Sequence, residues 1–354
     1  MLLAFSVVYA LFYLMDPIGG VQYFFIYLTF PVTLYLWGKY IAYRLELSDF
    51  TMAFIVIGLV FSSIGMISIL LNIMSDGLGQ SSRDIPYFWA ETSRNATNMA
   101  VLFVFNMCIP AYLMTNDKRL SLLQKGILGL LFFISLLCVI RLGSRSQLAI
   151  LMFTFVIGLV YLFPRQRIKQ NVGLLLALLA LSGVIYKNVS FDLNANWLAA
   201  FESRLKSSKN TVANAGNRSE RWEVSLQNLV DKPLGWGLED IGHAHNLWLD
   251  TARVGSLISA FLLLIYTVWA LLNLKKAVFL RKKSLSINVV MICFFLALYL
   301  SFMVEPIIDS SFTFFTAFCL FNGVILIYRK KISESKKEQE LVHTDTENIS
   351  EIVP

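Results

Sequence analysis

The sequence predicts an all-α polytopic membrane protein, with about ten transmembrane helices and one long outer loop containing short helices. Three observations predict it. Hydrophobic residues make up 57% of the 354-residue chain and charged residues 15%, against about 25% charged in soluble domains. Apolar runs of spanning length, about 17–25 residues, recur along the chain. Most cations sit in short segments beside those runs, where they set topology.

The apolar runs fall near 1–15, 19–38, 51–73, 97–115, 126–141, 146–163, 172–187, 252–273, 286–304 and 311–328. Two of them, 1–15 and 126–141, are short for a span. The first has no basic n-region and no small-residue cleavage site, so it reads as a helix and not a removed signal. With the N-terminus inside, the inside segments hold Lys39, Arg44; Lys118, Arg119, Lys125; Arg165, Arg167, Lys169; Lys275, Lys276, Arg281, Lys282, Lys283; and Arg329, Lys330, Lys331, Lys336, Lys337. These are 18 of the 30 Lys and Arg residues. Residues 187–245 instead balance seven bases against seven acids. The asymmetry puts both termini in the cytoplasm and the long loop outside. Four units follow: N-terminal transmembrane helices (1–187), the long outer loop (188–251), C-terminal transmembrane helices (252–331) and a polar cytoplasmic tail (332–354) expected to be disordered. A second outer loop, 74–96, offers Tyr87, Phe88 and Trp89 as an interfacial anchor.

The net charge of +7 is a topology signal and does not point to nucleic acid. Cys108, Cys138, Cys293 and Cys319 all lie in apolar runs without CxxC spacing, so neither metal nor redox chemistry is indicated.

Most groups able to do chemistry lie in the long loop. Asn217 and Glu220 have capping-box spacing, opening a helix that runs to about Asp231, before Pro233. Spacing of four puts Arg218 and Trp222 on one face, continued by Leu226 and Leu229, which anchor it. Arg221 lies one turn from Arg218 and is placed to share its role. Arg141 and Arg145 stand in a tight outer turn, against the charge bias, and call for an anionic partner: lipid phosphate or a bound pyrophosphate. His245 is either an interfacial polar residue or an acid–base group. Asn246 either orients a substrate or caps the next helix. Gly235 and Gly237, in Pro233–Gly237, let backbone approach a ligand or simply form a turn. Glu305 and Asp309 are alternative bases. Asp250 and Arg253, three apart, read as a pair, and Asp16 as a cap of the first outer turn. A zinc reading of His243 and His245 with Asp240 or Asp250 lacks a third ligand type, and no metal is expected.

The ordered set Ser144-Arg145-Ser146, Arg218-x-x-x-Trp222, Pro233-Leu-Gly-x-Gly237 and His245-Asn246-x-x-Leu249, with Gly255 after it, resembles the O-antigen polymerase and O-antigen ligase superfamily of bacterial envelope enzymes. The resemblance covers about residues 140–275. It implies a metal-independent, cofactor-free glycosyltransferase with an undecaprenyl-pyrophosphate-linked glycan donor, working at the periplasmic face of the inner membrane. Carried over by position, Arg145 and Arg218 would hold the pyrophosphate and His245 would assist the acceptor hydroxyl. Arg221, Arg141, Asn246, Trp222, Gly235 and Gly237 would complete the substrate site. Length and helix count favour a polymerase joining lipid-linked repeat units. A ligase acting on lipid A–core is the alternative in the same class, and a transporter or flippase the alternative in another. The expected partners are the lipid-linked oligosaccharide, membrane lipid, a chain-length regulator and a flippase, and no nucleic acid.

Overall fold

The structure is a computed structural model. It describes every residue except 18, 79–83, 91–92, 116, 177–178, 180–217, 281–283 and 353–354, and the backbone alone at 241 and 337–352. The described chain is almost all helix. Its elements are α1 (Leu2–Tyr13), α2 (Gln22–Arg44), α3 (Phe50–Asp76), a two-residue hairpin β1 (Ile85–Pro86) and β2 (Ser93–Arg94), α4 (Ala96–Ala100), α5 (Ile109–Leu113), α6 (Leu122–Arg141) and α7 (Arg145–Leu162). After the undescribed stretch come α8 (Arg218–Asp231), α9 (Leu238–Ile241), α10 (Leu247–Leu280), α11 (Leu285–Val304), α12 (Ile307–Ser310) and α13 (Phe312–Ile352).

Among the described residues six helices are long and apolar enough to span a membrane: α3, α6, α7, α10, α11 and Phe312–Lys336 of α13. A pair bent by 46°, Ala96–Phe103 with Asn106–Leu113, makes a seventh if it counts as one span. The expected ten spans are therefore not all found among the described residues. The run 1–15 folds into a helix of 12 residues, about 18 Å long against a hydrocarbon core of about 30 Å. The run 19–38 becomes α2, which is long, but Tyr23, Tyr27, Tyr35, Tyr40, Tyr43, Lys39 and Arg44 lower its hydropathy. The run 172–187 lies largely outside the described residues. At the other end, α13 stays helical to Ile352 where a disordered tail is expected. Its stretch Lys336-Lys-Glu-Gln-Glu-Leu341 is made of good helix formers despite its polarity.

Close backbone contact and clustered aromatic rings hold the bundle together. Gly38 on α2 and Gly323 on α13 face each other reciprocally: a Cβ on Gly38 would overlap the Leu320 carbonyl, and one on Gly323 the Tyr35 carbonyl. Small residues at such crossings let helices pack without a large apolar knob. Phe54 of α3, Phe105 of the bent segment, Phe294 of α11 and Phe321 of α13 cluster at centroid distances of 4.9 Å (Phe105–Phe294, tilted), 5.0 Å (Phe105–Phe321, tilted) and 5.1 Å (Phe54–Phe321, stacked). Large side chains such as Val60, Phe133, Phe153 and Phe261 point outward, as on helices solvated by lipid.

One break in this bundle positions the site. Within α10, Ser256 adopts φ 71° and ψ 167°, which interrupts the helix. The freed groups find partners in the Pro233–Trp236 turn: Trp236 N–H donates to the Arg253 carbonyl (3.0 Å), and Leu257 N–H donates to the Pro233 carbonyl (2.9 Å). A helix break at membrane depth persists only when its backbone groups are satisfied in this way. The turn needs Gly235, which has φ +121° and lies so close that a Cβ would sit 2.6 Å from the Arg253 carbonyl oxygen.

Candidate functional site

A cavity of about 480 Å³ opens where the N-terminus of α7, the start of α8, the 243–246 loop and the end of α11 converge. Its wall has two halves. Arg145, Arg218, Arg221, His245 and Glu305 line one, and Ile150, Phe153, Leu300 and Val304 of α7 and α11 line the other. Arg145 is exposed at the first position of α7, and the side chain of Ser144 does not cap that helix. Its first amides thus face the cavity region with the positive end of the helix dipole. Glu305 is 2% exposed. It accepts a 2.7 Å hydrogen bond from the Ser146 hydroxyl, tying α7 to the end of α11.

The loop carrying His245 is clamped from two sides. On α8, Arg221 Nη1 donates to the His243 carbonyl (3.1 Å) and Trp222 Nε1 to the Ala244 carbonyl (2.9 Å). On α10, the Asp250 carboxylate accepts from Ala244 N–H (2.7 Å) and Asn246 N–H (3.1 Å). Asn246 Oδ1 accepts from the amides of Trp248 and Leu249, an N-cap of α10. Between these clamps His245 is forced to φ 56°. Left-handed backbone at a residue other than glycine costs of order 1–3 kcal/mol and marks a position held by its surroundings.

Charge sets the state of the two imidazoles. Burial pushes the His245 imidazole down to about 4, and the Arg218, Arg221 and His243 charges add to it. His245 is therefore neutral near pH 7. Its Nδ1 is buried and has no hydrogen-bond partner among the described residues. His243 shifts the other way: its hydrogen bond to Asp309 (3.0 Å) raises it against burial. Arg253 Nη2 donates to the same Asp309 oxygen at 2.8 Å. Burial pushes the Asp309 carboxyl up, but the His243 hydrogen bond and the Arg253 charge outweigh it and hold it below its usual value.

Several expected roles change. Arg141 does not join Arg145. It is 1% exposed and donates to Asn72 Oδ1 (2.8 Å) on α3, and Asn72 in turn donates to Asp76. Through Asn72 it is linked to the Asp76 carboxylate. Trp222 anchors the histidine loop, and Asn246 is a helix cap. Gly235 and Gly237 line a different cavity, beside Phe12 and Asp16, and Gly235 serves the break in α10. Arg253 pairs with Asp309, and Asp250 with backbone amides, so the expected Asp250–Arg253 pair does not form. The N-cap Asn217 lies outside the described residues.

The sequence places the members of the His243–Asp309–Arg253 cluster in three separate readings, Asp309 as a possible base, Arg253 as a partner of Asp250 and His243 in a zinc set, and nothing local joins them. Ligand atoms of His243, Asp250 and Asp309 lie within 4.8 Å of one another. They do not fit a metal, since Arg253 already supplies the cation on Asp309 and both Asp250 oxygens accept amides. Asp240, the other acid considered for zinc, pairs with Lys232 at 2.6 Å. No protein-family model and no curated protein matches this chain, so the reading of the site rests on its residues and their geometry.

Proposed function

We propose that this cavity binds a polyprenyl-pyrophosphate-linked glycan, and that the chain is a glycosyltransferase polymerising lipid-linked oligosaccharide repeat units at the outer face of a bacterial inner membrane. The two-part wall carries the reading. Three guanidiniums and an uncapped helix N-terminus suit a pyrophosphate. The apolar half, on two membrane-length helices, suits the first isoprene units of the same molecule.

The chemistry follows from those groups. The acceptor hydroxyl oxygen attacks the anomeric carbon, and the bond from that carbon to the phosphate oxygen breaks. The pyrophosphate leaves with the electron pair. Negative charge grows on it, and fixed guanidiniums stabilise that charge without reorganising. The hydroxyl proton passes to a base in the cavity, His245 or Glu305. The neutral imidazole of His245 is held in place to accept a hydrogen bond from the acceptor. The activated donor provides the driving force.

The test uses the full chain in proteoliposomes with a polyprenyl-pyrophosphate-linked oligosaccharide. A ladder of lipid-linked multimers supports polymerisation. Transfer only when lipid A–core is added would make the chain a ligase. Passage of intact lipid-linked unit across the bilayer without new glycosidic bonds would overturn the enzyme reading. Arg218→Lys keeps the charge but loses the planar fork, so product should fall at least tenfold while expression and thermal stability hold.

A further inference from the structure

A second cavity, of about 540 Å³, lies at the end of α10 and of the membrane-length part of α13 (Phe312–Lys336), one span from the candidate site. Lys276, Arg329, Lys330 and Lys336 line it with Phe279 and Leu280. Among the described residues no carboxylate does. Spacings of three and four bring Lys276, Phe279 and Leu280 onto one face of α10, and Arg329, Ser333 and Lys336 onto one face of α13. Lys276, Lys330 and Lys336 are exposed, and none is in an ion pair among the described residues. The next cation, Lys331, shows the contrast. It donates to the carbonyls of Tyr43 and Leu45 at the end of α2, so its charge serves the fold. Arg329 is anchored to Asn273 of α10, which fixes the two helices at the mouth of the cavity.

Topology alone calls for cations on this face. It does not call for four of them around one cleft, nor for an apolar wall beside them. Phe279 is 57% exposed and Leu280 37%, and both would meet an acyl chain at the interface. We infer that this cleft is a binding site for the headgroup of an anionic phospholipid, with its phosphate among Lys276, Arg329, Lys330 and Lys336 and one acyl chain along Phe279 and Leu280. Basic clefts between spanning helices recognise acidic headgroups by this combination. The inference does not depend on what the outer cavity binds.

Binding of fluorescent phosphatidylglycerol to the detergent-purified full chain tests it. Each lysine at an anionic lipid surface is worth roughly fivefold in affinity. The triple variant Lys276→Gln/Lys330→Gln/Lys336→Gln should therefore bind about 100-fold more weakly. A control triple elsewhere on the same face, Lys39→Gln/Lys118→Gln/Lys169→Gln, should stay within a few-fold of the parent. Lys276→Arg/Lys330→Arg/Lys336→Arg should retain binding, which separates lost charge from lost folding. Equal weakening in the control triple would mean a diffuse positive face and overturn the site. So would equal affinity for phosphatidylcholine. Competition by inorganic phosphate at the same concentration as the lipid would reassign the cleft to a soluble anion and overturn the lipid assignment.

Discussion

Removing Asp309 tests the buried charge network at the site. The Arg253 side chain is 2% exposed and that of Asp309 17%, and they meet at 2.8 Å. Asp309→Ala leaves the guanidinium buried without a carboxylate and frees His243 from its partner at 3.0 Å. Stripping one member from a buried pair costs about 3–5 kcal/mol, most of it the uncompensated charge. In thermal unfolding of the detergent-solubilised chain this should appear as a fall of roughly 5–10 °C. The double variant Arg253→Met/Asp309→Ala removes the stranded cation as well and should recover most of that loss, because an apolar replacement of a buried pair is close to neutral. A loss below about 1 kcal/mol for Asp309→Ala, as for exposed pairs, would refute the reasoning. So would a double variant no more stable than the single one.

The histidines should give opposite pH signatures. His243 is raised in the folded chain, so its contribution is full below an unfolded value of about 6.5 and is lost as pH rises through the folded value. The stability gap between the parent and His243→Gln should shrink over that window, and a gap independent of pH would sink the assignment. His245 is held at about 4, so the parent should lose stability relative to His245→Gln as pH falls from about 6.5 towards 4. Gly323→Ala places a methyl against the Tyr35 carbonyl at the α2–α13 crossing. It should destabilise by about 2 kcal/mol or more, and an unchanged melting temperature would show that the helices can part there.

The spans α3, α6, α7 and α11, and the start of α13, are legible to within a few residues, because hydropathy is a local property. The helix α10 starts at Leu247, five residues before the apolar run at 252, since Asn246 caps it there. Arg145, Arg218, Arg221 and His245 were named from spacing and signature, and the fold gathers them around one cavity with Glu305. Pairings across the bundle were not legible. Arg141 finds Asn72 from 69 residues away, Arg253 finds Asp309 from 56, and His243 finds Asp309 from 66. No periodicity encodes such contacts. The local rule that did apply, pairing Asp250 with Arg253 at a spacing of three, failed because both backbone amides of the histidine loop and a distant carboxylate competed better. Gly235 forms the turn that is one of its two expected uses, but the helix break that the turn serves is concealed by the continuous apolar run.

The arginines proposed to hold the leaving group also suppress His245 as a base, and the two effects are coupled. Arg218 and Arg221 add to burial in holding the imidazole at about 4, too low for strong general-base work near neutral pH. A pyrophosphate among those guanidiniums would offset their charge and remove that part of the shift, moving the imidazole back towards about 6.5. His245 would then gain basicity only when donor is bound, which protects an empty site from idle protonation and ties proton transfer to donor occupancy. The prediction is direct. In ring-nitrogen NMR of histidine-labelled protein, inorganic pyrophosphate should raise the His245 titration midpoint and leave that of His243, which is set by Asp309, nearly in place. Arg218→Ala/Arg221→Ala should raise the His245 midpoint without any pyrophosphate and abolish the further response. A midpoint unmoved by both the ligand and the double variant would leave burial and the His243 charge as the causes. The proton would then have to go to Glu305, the other base in the cavity.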